Sequence, residues 1–326
     1  MNSTQVAESA ADLWTERSNF AGIAMGALAY GLHLAVFSIS LFYVFKAPAL
    51  GKTSWLFAIL LFAFLGLGTI QVAAQVKFGE LVWIDYRNFP GGPVAWYHGH
   101  YNNIYNTLEF GGFISANFLA DAVLLYRMFV VWDRNLLVMI IPILAFTAST
   151  SLSIVSAFEA AQPHSSKWSH ASFEFELPYW ALTVSLNLLI TVAVVYRLLT
   201  MRRAVISIFG ADHATMYTSI ISMVVESAAI YATTGIVCIV AFATKSNILN
   251  FLQPILGQVV CICPELIILR VHNGRAWTTH ITRTVNAHRL GTQSVEASEN
   301  GRSTPGPMVV SSGFVGGILD LKAYGY

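Results

Sequence analysis

Four ionisable side chains lie deep inside long apolar runs of this 326-residue chain: His33, Asp121, Glu226 and Glu265. In hydrocarbon such a group costs ~2.5–3.5 kcal/mol at mid-depth, so each needs a partner, a water-filled cavity or a chemical task. Counting residues puts three of them at one level. His33 follows the start of its run at Phe20 by 13 residues, Glu226 follows Ala214 by 12, and Asp121 precedes Trp132 by 11. At ~1.5 Å per residue these offsets are roughly 16–20 Å, close to the middle of a bilayer. Asn117 and Asn187 fall within about a turn of that level, and Tyr231 lies in the same run as Glu226. Two carboxylates and an imidazole at one depth could share a proton, coordinate a cation or meet a polar ligand. The plainer role is glue between helices, a satisfied polar cluster that locks a bundle.

A second set lies nearer one membrane edge. Arg127, Arg197 and Arg270 close three apolar runs, and Glu265 precedes Arg270 by five residues. Such arginines snorkel to phosphates and fix topology. The sharper expectation is a breakable Arg127–Glu265 bridge joining the third and seventh runs, the kind of bistable lock that switching bundles use. Pro264 beside it frees a backbone carbonyl and favours a kink.

The third set is the stretch AWYHGHYNNIYNT, residues 95–107, where Trp96, His98, His100 and Tyr101 crowd together. Two histidines one residue apart suit a metal only if a third ligand arrives from elsewhere, and no metal site is expected on that basis. The remaining readings are an outer lid over a ligand pocket and an aromatic interfacial belt, where rings with a polar edge gather.

The elements that must position these residues follow from composition. The chain is 56% hydrophobic and 11% charged, against about 45–50% and about 25% in soluble domains. Apolar stretches close to the ~20 residues that cross a bilayer recur along most of its length. Seven spans are predicted: 20–45, 55–76, 108–132, 137–158, 177–200, 214–243 and 250–271. The fold class is therefore an all-α seven-transmembrane-helix bundle. Residues 1–19 carry Glu8, Asp12 and Glu16 and lack the pattern of a cleavable signal, so the first span reads as a signal-anchor. Of the Lys and Arg residues, 13 fall on one set of flanks and five on the other, which predicts an extracellular N-terminus and a cytosolic C-terminus. Asn2 opens a glycosylation sequon on the predicted outer side. Residues 272–290 suit an amphipathic juxtamembrane helix, and residues 291–326, rich in Ser, Gly and Pro, suit a disordered cytosolic tail. The three cysteines fall in the last two spans, so neither an outer-loop disulfide framework nor a metal-type Cys spacing is present.

Three segments taken together carry a resemblance: LADAVLLYRMFVVW, MVVESAAIYATTG and QVVCICPELIILRV. In order and spacing the chain resembles a set of orphan seven-span integral membrane proteins of mushroom-forming (basidiomycete) fungi, over about residues 20 to 275. Asp121, Tyr126, Arg127, Glu226, Ser227 and Tyr231 fall on the positions that carry it. In that set the last segment looks more like APTLIILRV, so Glu265 is a departure of this chain. The resemblance implies a fold and no activity.

Three function classes remain open. A receptor-like protein at the plasma membrane, sensing a small or lipidic ligand through the mid-membrane cluster and meeting a cytosolic signalling protein, rests on fold analogy to G-protein-coupled receptors. A membrane-embedded enzyme of acid-initiated, terpene cyclase-like type would use Asp121 or Glu226 as proton donor. A proton-coupled transporter would use them as a relay. All six lysines lie outside the predicted spans, which excludes a mid-membrane retinal Schiff base. No HExxH, GxSxG or phosphate loop is present. The bilayer is the expected partner, and neither a cofactor nor nucleic acid is expected.

Overall fold

The structure, a computed structural model, describes residues 9–46, 52–162, 170–209 and 215–269. Asn2, Arg270, the 272–290 segment and the 291–326 tail lie outside the described residues. The described chain is a bundle of eight helices. They are α1 (Ala10–Lys46), α2 (Lys52–Glu80), α3 (Gly92–Gly99), α4 (Ile104–Val131), α5 (Leu136–Ala160), α6 (His170–Phe209), α7 (Thr215–Ala243) and α8 (Ile248–Leu269). All but the eight-residue α3 are long and apolar enough to cross a membrane, and no strand is present among the described residues.

Burial is distributed as a bilayer demands. On α5 the exposed stripe is Leu137, Ile141 and Leu144, whereas the buried one is Ser149, Ser153 and Ser156. A soluble helix would have the reverse pattern, because water rather than hydrocarbon would face the outside. The seven long helices thus form a multi-pass membrane protein with lipid as its outer solvent.

Helix starts are set by local chemistry that hydropathy alone does not register. α1 begins ten residues ahead of the apolar run at Phe20 because Ser9 and Asp12 make a reciprocal capping box: Asp12 N–H donates to Ser9 Oγ (3.1 Å) and Ser9 N–H to Asp12 Oδ2 (3.3 Å). Asn103 and Asn135 cap α4 and α5, each accepting a backbone N–H at 3.0 Å.

α8 is the central helix. Of its most apolar stretch 61% is buried, against 22% for α5. Asn247 and Asn250 donate to Thr15 (2.9 Å) and Ser18 (3.2 Å) of α1, and Cys263 donates to the Ser227 carbonyl of α7 (3.4 Å). Gly22 and Gly26, a GxxxG on α1, are the reason for this close approach: a methyl on Gly22 would run into the Asn250 carbonyl. α8 remains helical through Pro254 and Pro264.

Candidate functional site

The 31-residue outer loop expected between the second and third spans is largely helical. α2 runs on to Glu80, a π-helical turn covers Leu81–Asp85, and Gly91 and Gly92, at φ 92° and 86°, turn the chain into α3. Together these form a cap over one end of the bundle. Trp96 is buried at its centre, sandwiched between Tyr86 (ring centroids 4.8 Å apart, 9°) and His100 (4.4 Å, 10°). His100 Nδ1–H donates to the Trp96 carbonyl at 3.0 Å, and His98 meets the edge of Tyr97. The two histidines are exposed and engaged with rings, and the described residues contain no group of three metal-type ligands. Arg87 fastens the cap to α1 by a 2.9 Å ion pair with Glu16.

Beneath the cap, α1, α2, α4 and α8 enclose a half-open vestibule of about 70 Å³. At ~10–15 Å³ per water it holds on the order of five waters. Its wall is dense in amides: Asn19 of α1, Gln71 and Gln75 of α2, Asn106 of α4, and Asn250, Gln253 and Gln258 of α8, with Glu109 the carboxyl among them. Gln71 Nε2 is buried with no hydrogen-bond partner among the described residues. Tyr97 and Tyr101 lean in from the cap. Burial, with Glu109 nearby, holds the Tyr97 phenol above its usual pKa, so it stays a neutral donor.

A polar file descends from the vestibule floor. Gln258 Nε2 donates to the Gly68 carbonyl of α2 (3.3 Å), Gln258 Oε1 accepts from His33 Nδ1 (2.9 Å), and His33 Nε2 lies 3.3 Å from Glu265 Oε1. His33 and Glu265 are both 0% exposed, and Ser40 donates to the Glu265 backbone carbonyl at 3.4 Å. Glu265 Oε2 has no partner among the described residues. The file fits only because Gly68 lacks a side chain: a methyl there would lie 2.8 Å from the His33 ring and 3.0 Å from Gln258.

The structure therefore corrects the expected Arg127–Glu265 bridge. Among the described residues Glu265 pairs with His33, and Arg127 makes no ion pair with it. The reason is rotational: α8 turns Glu265 towards α1, where His33 is its partner.

The expected His33–Asp121–Glu226 cluster is also corrected. Asp121 lies in a separate polar set between α4, α6 and α7. Thr183 donates to its Oδ2 at 2.6 Å, and Tyr231 donates to Asn117 at 3.1 Å. Tyr179, Thr183 and Asn187, spaced by four on α6, form the facing stripe and are all buried. Asn187 Oδ1 has no partner among the described residues. Glu226 is not in this set. It is exposed on α7, where Ser222 donates to it at 3.0 Å. Tyr231, five residues or about 140° away around the helix, faces inwards instead. The residues that sequence reasoning missed are the vestibule amides. Their signal is that Gln71 and Gln75 share a helix face inside an apolar run, a weaker mark than a buried charge because a neutral amide costs less in hydrocarbon.

No family model, no curated protein and no solved structure matches the chain. Its functional reading therefore rests on this geometry.

Proposed function

We propose that the chain is a receptor-like seven-helix membrane protein, N-terminus outside and C-terminus cytosolic, that binds a small hydrogen-bonding molecule in the capped vestibule. The observation that carries this reading is the amide-lined cavity itself. Seven amide side chains converge on it, and one of their donors, Gln71 Nε2, is left buried without a partner among the described residues. Burying an unmatched donor costs about 1–3 kcal/mol, and an occupant with an acceptor atom recovers that cost. The 13-to-5 bias of Lys and Arg supports the orientation and sets a basic face towards a cytosolic signalling partner. Kinship with the orphan seven-span proteins of mushroom-forming fungi and residence in the plasma membrane belong to the same proposal.

The test is mass spectrometry of small molecules that copurify with the full chain from membranes, compared with a Gln71→Leu, Gln75→Leu variant. A molecule bound by the wild type and lost from the variant is the expected result. An empty wild type, or equal retention by both, refutes the vestibule as a binding site. A newly made product would instead favour the enzyme reading with Asp121 as acid.

A further inference from the structure

We propose that His33 and Glu265 form a buried one-proton site between α1 and α8, and that Gln258 ties its state to what occupies the vestibule; this second half rests on the vestibule being the binding site. The hydrogen bonds of Gln258 fix the tautomer. Gln258 Nε2 faces a backbone carbonyl that can only accept, so Oε1 is the atom turned to His33 Nδ1 and can itself only accept. Nδ1 must therefore carry a hydrogen. His33 Nε2 is left to face Glu265 Oε1 at 3.3 Å.

The charge of the pair follows from its proton count. With Nδ1–H fixed, one further proton on the Nε2···Oε1 line gives either imidazolium with carboxylate or neutral imidazole with carboxyl. Both are net neutral, and they interconvert as the N–H bond breaks, its electron pair stays on nitrogen and an O–H bond forms. With no proton on that line the pair is an anion; with two it is a cation. Both side chains are wholly buried, where an uncompensated charge is costly. One proton is the stable occupancy.

Among the described residues nothing packed around the pair offers a competing charge. On α1 the nearest titratable ring is Tyr30, edge-on at 6.1 Å, whose hydroxyl is engaged with Thr69. α2 carries no ionisable side chain between Lys52 and Lys77, and meets the pair through Gly68. On α8 the neighbouring titratable group is the Cys261 thiol, one turn from Glu265. α7 touches α8 through Cys263, but its Tyr231 bonds Asn117 and its Glu226 is on the exposed face.

The link to the vestibule is Gln258, which lines the cavity and pins Nδ1 at the same time. An occupant that presents an N–H or O–H to Oε1 competes with that pin and frees the ring to change tautomer. Reciprocally, the proton state of the pair biases the occupant's affinity by the same factor.

The test uses the full chain in lipid nanodiscs with 15N-labelled histidine. The nine histidines are sorted by comparison with His33→Gln. From about pH 5 to about pH 8, one ring should keep Nδ1–H throughout, without the midpoint near ~6.5 of an open histidine. Gln258→Met should convert that ring in part to the Nε2–H form, with the other eight signals unmoved as the check on folding. Gln258→Glu retains an acceptor and should keep Nδ1–H, which serves if the methionine variant misfolds. A His33 ring that titrates freely in the wild type overturns the site whatever copurifies. A spectrum unchanged in Gln258→Met overturns the pin. A pinned ring with no copurifying molecule keeps the proton site and removes its link to the vestibule.

Discussion

Substituting alanine at Gly68 tests the polar file against a control two residues away. The methyl of Gly68→Ala would stand 2.8 Å from Cε1 and Nδ1 of His33 and 3.0 Å from Gln258 Oε1. Non-bonded carbon contacts are optimal at about 3.5–4.0 Å. Neither neighbour has room to retreat, since His33 is 0% and Gln258 1% exposed. Overpacking of this kind costs about 1–3 kcal/mol. Displacing Gln258 also loses its bond to the Gly68 carbonyl, a further ~0.5–1.5 kcal/mol, for a total of about 1.5–4.5 kcal/mol. Gly66 is exposed, and a methyl there meets nothing within 4 Å. Gly66→Ala should therefore be neutral, or more stable by up to ~1 kcal/mol from helix propensity. The predicted gap of about 3 kcal/mol is more than a hundredfold in the folding equilibrium. Reversible unfolding of the full chain in mixed micelles, followed by far-UV circular dichroism as the denaturing detergent fraction rises, reads this directly. Moving to a His33→Ala background should remove most of the Gly68→Ala penalty. If the two glycine variants unfold at the same detergent fraction, His33 does not lie against α2, and the file is wrong.

Two further comparisons use the same unfolding assay. His33→Leu strands a carboxyl in the core and should cost about 3–5 kcal/mol, whereas the His33→Leu, Glu265→Leu double variant, which replaces both partners by apolar groups, should fall within about 1 kcal/mol of wild type; additive single effects would show that the two side chains do not meet. Glu226→Leu, on the exposed face, should be neutral or stabilising, while Asp121→Leu leaves Thr183 without its acceptor and should cost about 1–3 kcal/mol. The opposite order would place Glu226 inside and reverse the assignment of the α7 face.

The sequence is informative about depth and poor on rotation. Hydropathy located all seven spans, and counting residues put His33 and Asp121 inside the bundle, because distance along a helix axis is fixed at about 1.5 Å per residue whatever surrounds it. Azimuth is different. An error of one residue turns a side chain by about 100°, and an apolar run that is hydrophobic on all sides gives no stripe from which to set the zero. This is why depth alone groups Glu226 with Asp121 although Ser227 and Tyr231 face inwards and Glu226 does not. The partner of Glu265 is hidden for the same reason: Arg127 offers the obvious opposite charge, whereas the contact belongs to His33 on the first helix, 232 positions away in the chain. The cap was legible in composition but not in form, since its fold depends on Tyr86 and His100 stacking on the two faces of Trp96.

The two buried polar sets differ in access, and that difference decides which is the better candidate for chemistry with an outside molecule. Asp121 ends in a short 2.6 Å bond from Thr183, and Asn117 in a bond from Tyr231, so α4, α6 and α7 satisfy them side chain to side chain. Such ties hold helices together without needing an occupant. The α1–α2–α8 file is arranged otherwise. It begins in a half-open cavity whose Gln71 amide donor has no partner among the described residues, and it ends on a carboxyl whose second oxygen has none there either. A bundle selected for stability alone would fill this interface with leucine, because a partly satisfied polar network is worse than an apolar core. Asn187 Oδ1 of the Asp121 set also lacks a partner among the described residues, but the unsatisfied groups of the α1–α2–α8 side, Gln71 Nε2 at the cavity and Glu265 Oε2 at the far end, flank a file that starts in the vestibule, with His33 between them. A molecule entering under the cap meets Gln71 and Gln258 before any ionisable group of the file, so its hydrogen bonds act first on the amides and through Gln258 on the imidazole. Asp121 does not line the vestibule, so the proposed binding falls on the α8 side of α1 and α2, with Asp121 a tie between helices.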